Sequence, residues 1–107
     1  MDIYSALADP RRREIIELLA LKGRLAATDI SDNFNISRPA ISQHLKVLRE
    51  AKLVDMEKVA QSRIYTINTD SLDELEDWAH KMKDMWEKKF SRLDTLLEKL
   101  KRKENAK

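Results

Sequence analysis

The residues of this 107-residue chain whose types and spacing most clearly indicate a function are hydrogen-bonding and cationic groups within one short segment. Ser37 followed by Pro39 is typical of a helix start, because serine caps the first turn and proline there loses no hydrogen bond. Apolar residues recur at positions 41, 45 and 48, which predicts one buried face. On the opposite face, serine and glutamine suit base edges, while lysine and arginine suit phosphates or guanine. The predicted DNA contacts are Ser37, Arg38, Pro39, Ser42, Gln43, Lys46 and Arg49.

A second polar group follows, in a segment whose pattern changes from helical to alternating. Residues 54–60 alternate in character and residues 64–67 are β-branched or aromatic, which predicts a β-hairpin that turns at 60–62. Residues near its tip suit the DNA backbone or the minor groove. They are Lys58, Gln61, Ser62 and Arg63. The same residues would equally suit a hairpin whose charges only keep it in solution, and the pattern leaves both interpretations open.

The elements before these segments are predicted to be helical. Asp9 followed by proline marks the start of a helix over 10–22, after a short helix over 3–8. Apolar residues one turn apart predict a further helix within 26–34, which a short turn joins to the helix beginning at Ser37. Two helices joined in this way form a helix-turn-helix, and the hairpin is then its wing. The predicted fold is mainly α with a small β-hairpin, a winged helix-turn-helix.

The C-terminal third of the chain has the pattern of one long helix. Ser71 and Glu74 are spaced as a capping box, and apolar residues recur at steps of three and four as far as Leu100. Such a helix would extend about 45 Å, more than the diameter of so small a domain. Because part of its apolar stripe would lack cover, we predict a homodimer, with folding back onto its own domain as the alternative. The predicted dimer contacts are Tyr4, Leu7, Met82, Trp86, Phe90, Leu93, Leu97 and Leu100.

Length and composition predict a single soluble domain. We expect one winged helix-turn-helix domain over 1–107, with a DNA-binding core over 3–68, a dimerisation helix over 70–101 and a basic tail over 102–107. The net charge of +2 is too small to indicate nucleic acid, so the distribution of charge carries that argument. The sequence has no apolar run of membrane-spanning length and no signal pattern, which predicts a cytoplasmic protein that does not enter a membrane.

The residue inventory argues against catalysis and against a bound cofactor. Cysteine is absent, the two histidines lie in different predicted helices, and no glycine-rich phosphate loop is present. We therefore predict that the protein is not an enzyme. Asp77, His80 and Asp84 share one face of the long helix, but a single imidazole with carboxylates makes a weak metal site, so we predict no metal.

Three features of the sequence resemble those of a known family. They are the sequence ADPRR at 8–12, the sequence SQHLKVL at 42–48, and Tyr65 in the second predicted strand. Together they resemble the ArsR-type (ArsR/SmtB) winged helix-turn-helix repressors of bacteria, over about residues 3–68. The resemblance implies a homodimer that binds a palindromic, inverted-repeat operator and represses transcription. The long helix with its two tryptophans is similar to a subgroup not known for metal sensing.

Two positions depart from the family pattern. Where the family usually has glycine, this chain has Lys52 after the predicted recognition helix and Ala60 at the hairpin turn. Alanine tolerates a positive φ poorly, which predicts a looser turn at the wing tip.

A winged-helix module that dimerises or binds protein, and no longer reads DNA, is the alternative function. Methionines and tryptophans on the long helix would supply its adaptable surface. Trp78 and Met85 lie off the main apolar stripe and are candidates for covering the domain body or for lining a small apolar pocket. The sequence also leaves open an unidentified inducer or partner protein. The polar residues retained on the predicted recognition helix favour DNA binding.

Overall fold

The computed structural model describes the backbone of residues 1–105 and the side chains of residues 1–104. Its elements are α1 (Ile3–Leu7), α2 (Pro10–Lys22), β1 (Leu25–Ala26), α3 (Ala27–Asp32), α4 (Arg38–Glu50), β2 (Val54–Val59), β3 (Ser62–Ile67) and α5 (Thr69–Asn105). They confirm the predicted fold class, mainly α with a β-hairpin. The contacts group into two compact units, residues 1–73 and the chain from Glu74 onward.

The core of the first unit is built from apolar residues at helical spacing. The fully buried large side chains are Ile15, Leu19, Ile30, Ile41, Leu45, Leu48, Leu53 and Val54. Positions 41, 45 and 48 form the buried face of α4, as the sequence predicted. Burial of this face fixes the rotation of α4 and leaves its polar face in solvent.

The ADPRR sequence joins α1 to α2. Asp9 caps α2 by accepting hydrogen bonds from the main-chain N–H groups of Arg11 (2.8 Å) and Arg12 (3.2 Å). Arg12 also donates through Nε to the Ala6 carbonyl at 2.6 Å, and Arg13 donates to the Leu7 carbonyl at 2.6 Å. Because these carbonyls end α1, the arginines complete its hydrogen bonding. This motif therefore has a structural role.

The charge of Asp9 is stabilised by the same cap. Burial raises the pKa of Asp9, but the main-chain hydrogen bonds from Arg12 and Arg11, with the positive charges of Arg12 and His44, outweigh it. The pKa of Asp9 therefore lies below its ordinary value.

The β-sheet has one strand more than the predicted hairpin. Its antiparallel order is β1-β3-β2, and β1 pairs Leu25 with Tyr65 and Ala26 with Ile64. A strand of two residues is too short to show alternation in the sequence, so only its partner strand reveals it.

The wing, defined as the β2–β3 hairpin, turns tightly. Val59 pairs with Ser62, which leaves a loop of Ala60 and Gln61 and places Ser62 in a strand. Ala60 has a φ of 55°. The prediction of a looser turn is therefore wrong, because the strand register requires a two-residue loop and Ala60 adopts the positive φ that such a loop needs.

The end of α4 is a Schellman motif centred on Lys52. The Leu53 N–H donates to the Leu48 carbonyl at 2.9 Å, and the Lys52 N–H donates to the Arg49 carbonyl at 3.0 Å. Lys52 has a φ of 63°, the conformation that usually selects glycine at this position.

The start of α5 differs from the predicted capping box. The helix begins at Thr69, and the Asn68 side chain accepts a hydrogen bond from the Asp70 N–H at 3.0 Å. Ser71 is buried and donates its hydroxyl hydrogen bond to the Lys52 carbonyl. The prediction of a capping box between Ser71 and Glu74 is therefore wrong, because the Ser71 hydroxyl bonds instead to a carbonyl that is distant in sequence.

The helix also extends beyond its predicted end at residue 101. Residues 102–105, assigned to a basic tail, are helical. Arg102 and Lys103 lie in the last turn, where positive charge interacts favourably with the helix dipole. Residues 106 and 107 of the predicted tail lie outside the described residues.

Candidate nucleic-acid interface

The recognition face is the exposed side of α4 and its cap. The Ser37 hydroxyl accepts a hydrogen bond from the Ala40 N–H at 3.3 Å, which fixes the first turn of the helix. Every α4 candidate from the sequence is exposed: Ser37, Arg38, Pro39, Ser42, Gln43, Lys46 and Arg49. Their exposure on one helix agrees with the predicted placement.

A cleft lies between the recognition face and the wing. It measures about 360 Å³, and we call it the cationic cleft. Its lining residues are Ala27, Pro39, Ser42, Gln43, Lys46, Arg49, Arg63 and Tyr65. It thus joins two cations of α4, Lys46 and Arg49, to one cation of β3, Arg63. Among the residues that the structure describes, none of these three cations forms an ion pair.

The wing brings further cations together. Lys58 in β2 lies directly opposite Arg63 in β3, and like charges in this position destabilise a hairpin. Gln61, Ser62 and Arg63 line a second cleft of about 200 Å³ with Thr28 at the start of α3. All four wing candidates are exposed.

Sequence reasoning missed three residues on this surface. Thr28 and Tyr65 line the clefts, and Asp32 lies close to Arg38, with 3.8 Å between Oδ1 and Nη2. Thr28 and Asp32 lie in the helix that precedes the recognition helix, and this location was the available signal. Their side-chain environment depends on the packing of α3, which the sequence pattern does not give.

The predicted dimer contacts divide between two helices. Those in α5 are all exposed: Met82, Trp86, Phe90, Leu93, Leu97 and Leu100. Trp86 and Phe90 form an edge-to-face pair with ring centroids 4.5 Å apart. In α1, Tyr4 is 42% exposed and Leu7 is half-buried.

The remaining candidates in α5 are the two residues weighed as a pocket lining and the residues weighed as a metal site. Trp78 and Met85 are both exposed. His80 and Asp84 line a shallow cleft, and the Asp84 carboxylate pairs with the Lys88 ammonium at 3.1 Å. Within residues 1–104, no group of three or more His, Asp or Glu residues is arranged to hold a metal ion. Over the same part of the chain, no helix has the length and apolar character needed to cross a membrane.

Comparison with known proteins identifies the family. The family profile described as bacterial regulatory protein, arsR family, matches residues 9–56. The transcriptional repressor SdpR of Bacillus subtilis is 38% identical over 77 residues, which are 72% of this chain and 84% of that protein. The chain belongs to the ArsR family. The arsenical resistance operon repressor of Staphylococcus xylosus is 38% identical over 71 residues, 66% of this chain and 67% of that protein.

A solved structure supports the same assignment. The crystal structure of a possible transcriptional regulator for arsenical resistance matches with a TM-score of 0.70 and 34% identity, covering 77% of this chain and 84% of that one. The predicted resemblance and the winged-helix fold are thereby confirmed. As an ArsR-family member the protein is a transcriptional regulator, and the prediction that it is not an enzyme is also confirmed.

Proposed function

We propose that this ArsR-family regulator represses transcription as a homodimer bound to an inverted-repeat operator, with α4 in the major groove and the wing beside it. The observation that carries the proposal is the cationic cleft, which joins Lys46 and Arg49 of α4 to Arg63 of β3. These residues are distant in sequence, and only the fold brings them to one surface.

The charge arrangement at this surface favours a polyanion. Lys46, Arg49 and Arg63 line one cleft without an acidic partner among the described residues, and Lys58 lies opposite Arg63 across the wing. Such grouping costs stability through like-charge repulsion. A DNA backbone would neutralise these cations and release its condensed counterions, which supplies sequence-independent affinity.

The polar groups between the cations are suited to reading bases. Gln43 can donate and accept in parallel with adenine N6 and N7, and Ser42 can contact either purine or pyrimidine edges. Both are exposed on the recognition face and line the cationic cleft. Arg38 lies at the first position of α4, and the N-terminal residues of a recognition helix contact base edges.

The apolar stripe of α5 supports the homodimer. Between Met82 and Leu100, seven large apolar side chains besides Met85 are 37–61% exposed. A second copy would cover this stripe and remove its apolar surface from water, which is favourable in proportion to the area buried. Two-fold symmetry of such a dimer would place two recognition helices on half-sites in inverted orientation.

Repression is the regulatory effect favoured by the two relatives described above. SdpR and the arsenical resistance operon repressor are both named as repressors. HlyU of Vibrio cholerae, 31% identical over 80 residues and matched over 73% of its length, is named a transcriptional activator. A reporter gene distinguishes the two effects when it is placed under the operator that selection from a random DNA pool identifies. We expect its expression to fall when the protein is supplied.

The direct test is selection of bound duplexes from a random DNA pool with the full-length protein. We expect enrichment of an inverted repeat whose half-sites are separated by about 10 base pairs or a multiple of that spacing. A pool that remains random after repeated rounds at low salt would overturn the proposal. Enrichment of a single half-site without symmetry would overturn its dimeric part.

A further inference from the structure

Asp32 is an acidic residue beside the recognition face. It ends α3, and its carboxylate Oδ1 lies 3.8 Å from Nη2 of Arg38, the first residue of α4. Arg38 also lines a cleft of about 100 Å³ with Ser42, so the pair lies next to a candidate base-reading hydroxyl. In the described part of the chain, Asp32 is the only acid that pairs with a cation of the recognition face.

We propose that Asp32 is a positioning residue that orients the Arg38 guanidinium to read a guanine in the major groove. The inference rests on the proposed function, because it needs α4 to lie in that groove. Arginine reads guanine through two parallel N–H donors to O6 and N7. The guanidinium is planar and has five N–H donors, so a carboxylate that pairs with one edge leaves another edge available to the base.

The environment of bound DNA would strengthen this orientation. In the free protein, the side chains of Arg38 and Asp32 are 70% and 66% exposed, and an ion pair so exposed contributes little. Exclusion of water by a docked duplex lowers the local dielectric constant and makes the same pair stronger. Asp32 would then act in the complex more than in the free protein.

The charge of Asp32 gives the proposal a distinctive signature. An anion close to phosphates weakens binding to every DNA sequence. Orientation of Arg38 benefits only duplexes that place a guanine within its reach. Asp32 is therefore expected to lower affinity for random DNA while raising the preference for the operator. A residue that merely stabilised the fold would change both affinities in the same direction.

The test compares Asp32→Asn with Asp29→Asn in the full-length protein. Asp29 is also exposed in α3, and among the described residues it forms no ion pair, so its replacement matches the charge change alone. Affinities for the selected operator and for a random duplex of equal length are measured at one salt concentration. Both variants should bind the random duplex more tightly. Only Asp32→Asn should lower the operator-to-random ratio, by roughly tenfold.

A modified base locates the effect at Arg38. Each guanine of the half-site is replaced in turn by 7-deazaguanine, which lacks the N7 acceptor. At one position we expect the wild type to lose roughly tenfold in affinity and the Asp32→Asn and Arg38→Ala variants to lose much less. In the Arg38→Ala background, Asp32→Asn should leave the operator-to-random ratio unchanged.

Two outcomes overturn the inference in different ways. If the wild type prefers the operator but Asp32→Asn keeps its ratio, or changes it no more than Asp29→Asn, Asp32 does not position Arg38 and the proposed function stands. If the wild type fails to distinguish operator from random duplex, the proposed function fails, and the role of Asp32 fails with it.

Discussion

The hydroxyl of Ser71 in the first turns of α5 donates a hydrogen bond to the main-chain carbonyl of Lys52, the residue that terminates the recognition helix in a left-handed conformation. The two residues are 19 positions apart. The strained end of α4 is thus held both by the Schellman hydrogen bonds and by α5.

Replacing Lys52 by glycine should stabilise the protein. A non-glycine residue at this φ of 63° carries a steric penalty that glycine avoids, and we expect Lys52→Gly to raise the free energy of unfolding by about 1 kcal/mol. The thermal midpoint should rise by about 4–8 °C at constant protein concentration. Lys52→Ala is the matched control, since it removes the charge but keeps the β-carbon. An equal rise for both variants would assign the effect to charge and contradict the backbone explanation.

The cap at Asp9 should make stability depend on acid pH. Its pKa is lowered in the folded protein, so the carboxylate contributes stability above its unfolded pKa of about 4 and loses it as pH falls through the folded value. At pH 7, Asp9→Ala should lower the free energy of unfolding by about 1 kcal/mol, and the difference from the wild type should shrink below about pH 4. Denaturant unfolding at several pH values measures it.

Asp9→Asn separates the charge of the cap from its hydrogen bonds. Asparagine keeps a side-chain acceptor for the N–H groups of Arg11 and Arg12, so this variant should be more stable than Asp9→Ala at pH 7. It should lack the acid-dependent component of the wild type. If the difference between wild type and Asp9→Ala were constant from pH 7 to pH 2, the lowered pKa would not contribute to stability.

A charge within the α5 stripe should disrupt the proposed dimer. Phe90→Glu and Leu93→Glu would place an unpaired carboxylate in an apolar interface, which is costly, so both should sediment as monomers. Ser91→Glu is the control, because residue 91 is also exposed but lies off the stripe, and it should sediment as a dimer. A wild-type protein that sediments as a monomer at micromolar concentration would rule the dimer out.

The features that sequence predicted well are local ones. The cap at Ser37, the first-turn proline and the buried positions of α4 all depend on residues within a few turns of each other. Burial of Ile41, Leu45 and Leu48 then leaves the recognition face exposed without further information. The location of the DNA-contacting candidates could therefore be predicted, while their contacts with DNA stay a prediction.

The features that sequence missed depend on residues far apart in the chain. β1 is recognisable only through its pairing with Tyr65 and Ile64. The register of β2 and β3 imposes the positive φ of Ala60, and the Lys52 carbonyl engages Ser71. The cationic cleft likewise exists only because the fold brings β3 and α4 to one surface. Periodicity within one segment contains none of this information.

The salt dependence of operator binding tests the central claim most directly. The cleft variant combines Lys46→Gln, Arg49→Gln and Arg63→Gln. The control combines Lys99→Gln, Lys101→Gln and Arg102→Gln in α5. The three control residues are exposed, and their replacement changes the net charge by the same amount. Each lost phosphate contact should reduce the slope of log affinity against log salt by about 1. We predict a much shallower slope for the cleft variant and a wild-type slope for the control. A wild-type slope for the cleft variant would contradict the account, because DNA would then be bound elsewhere.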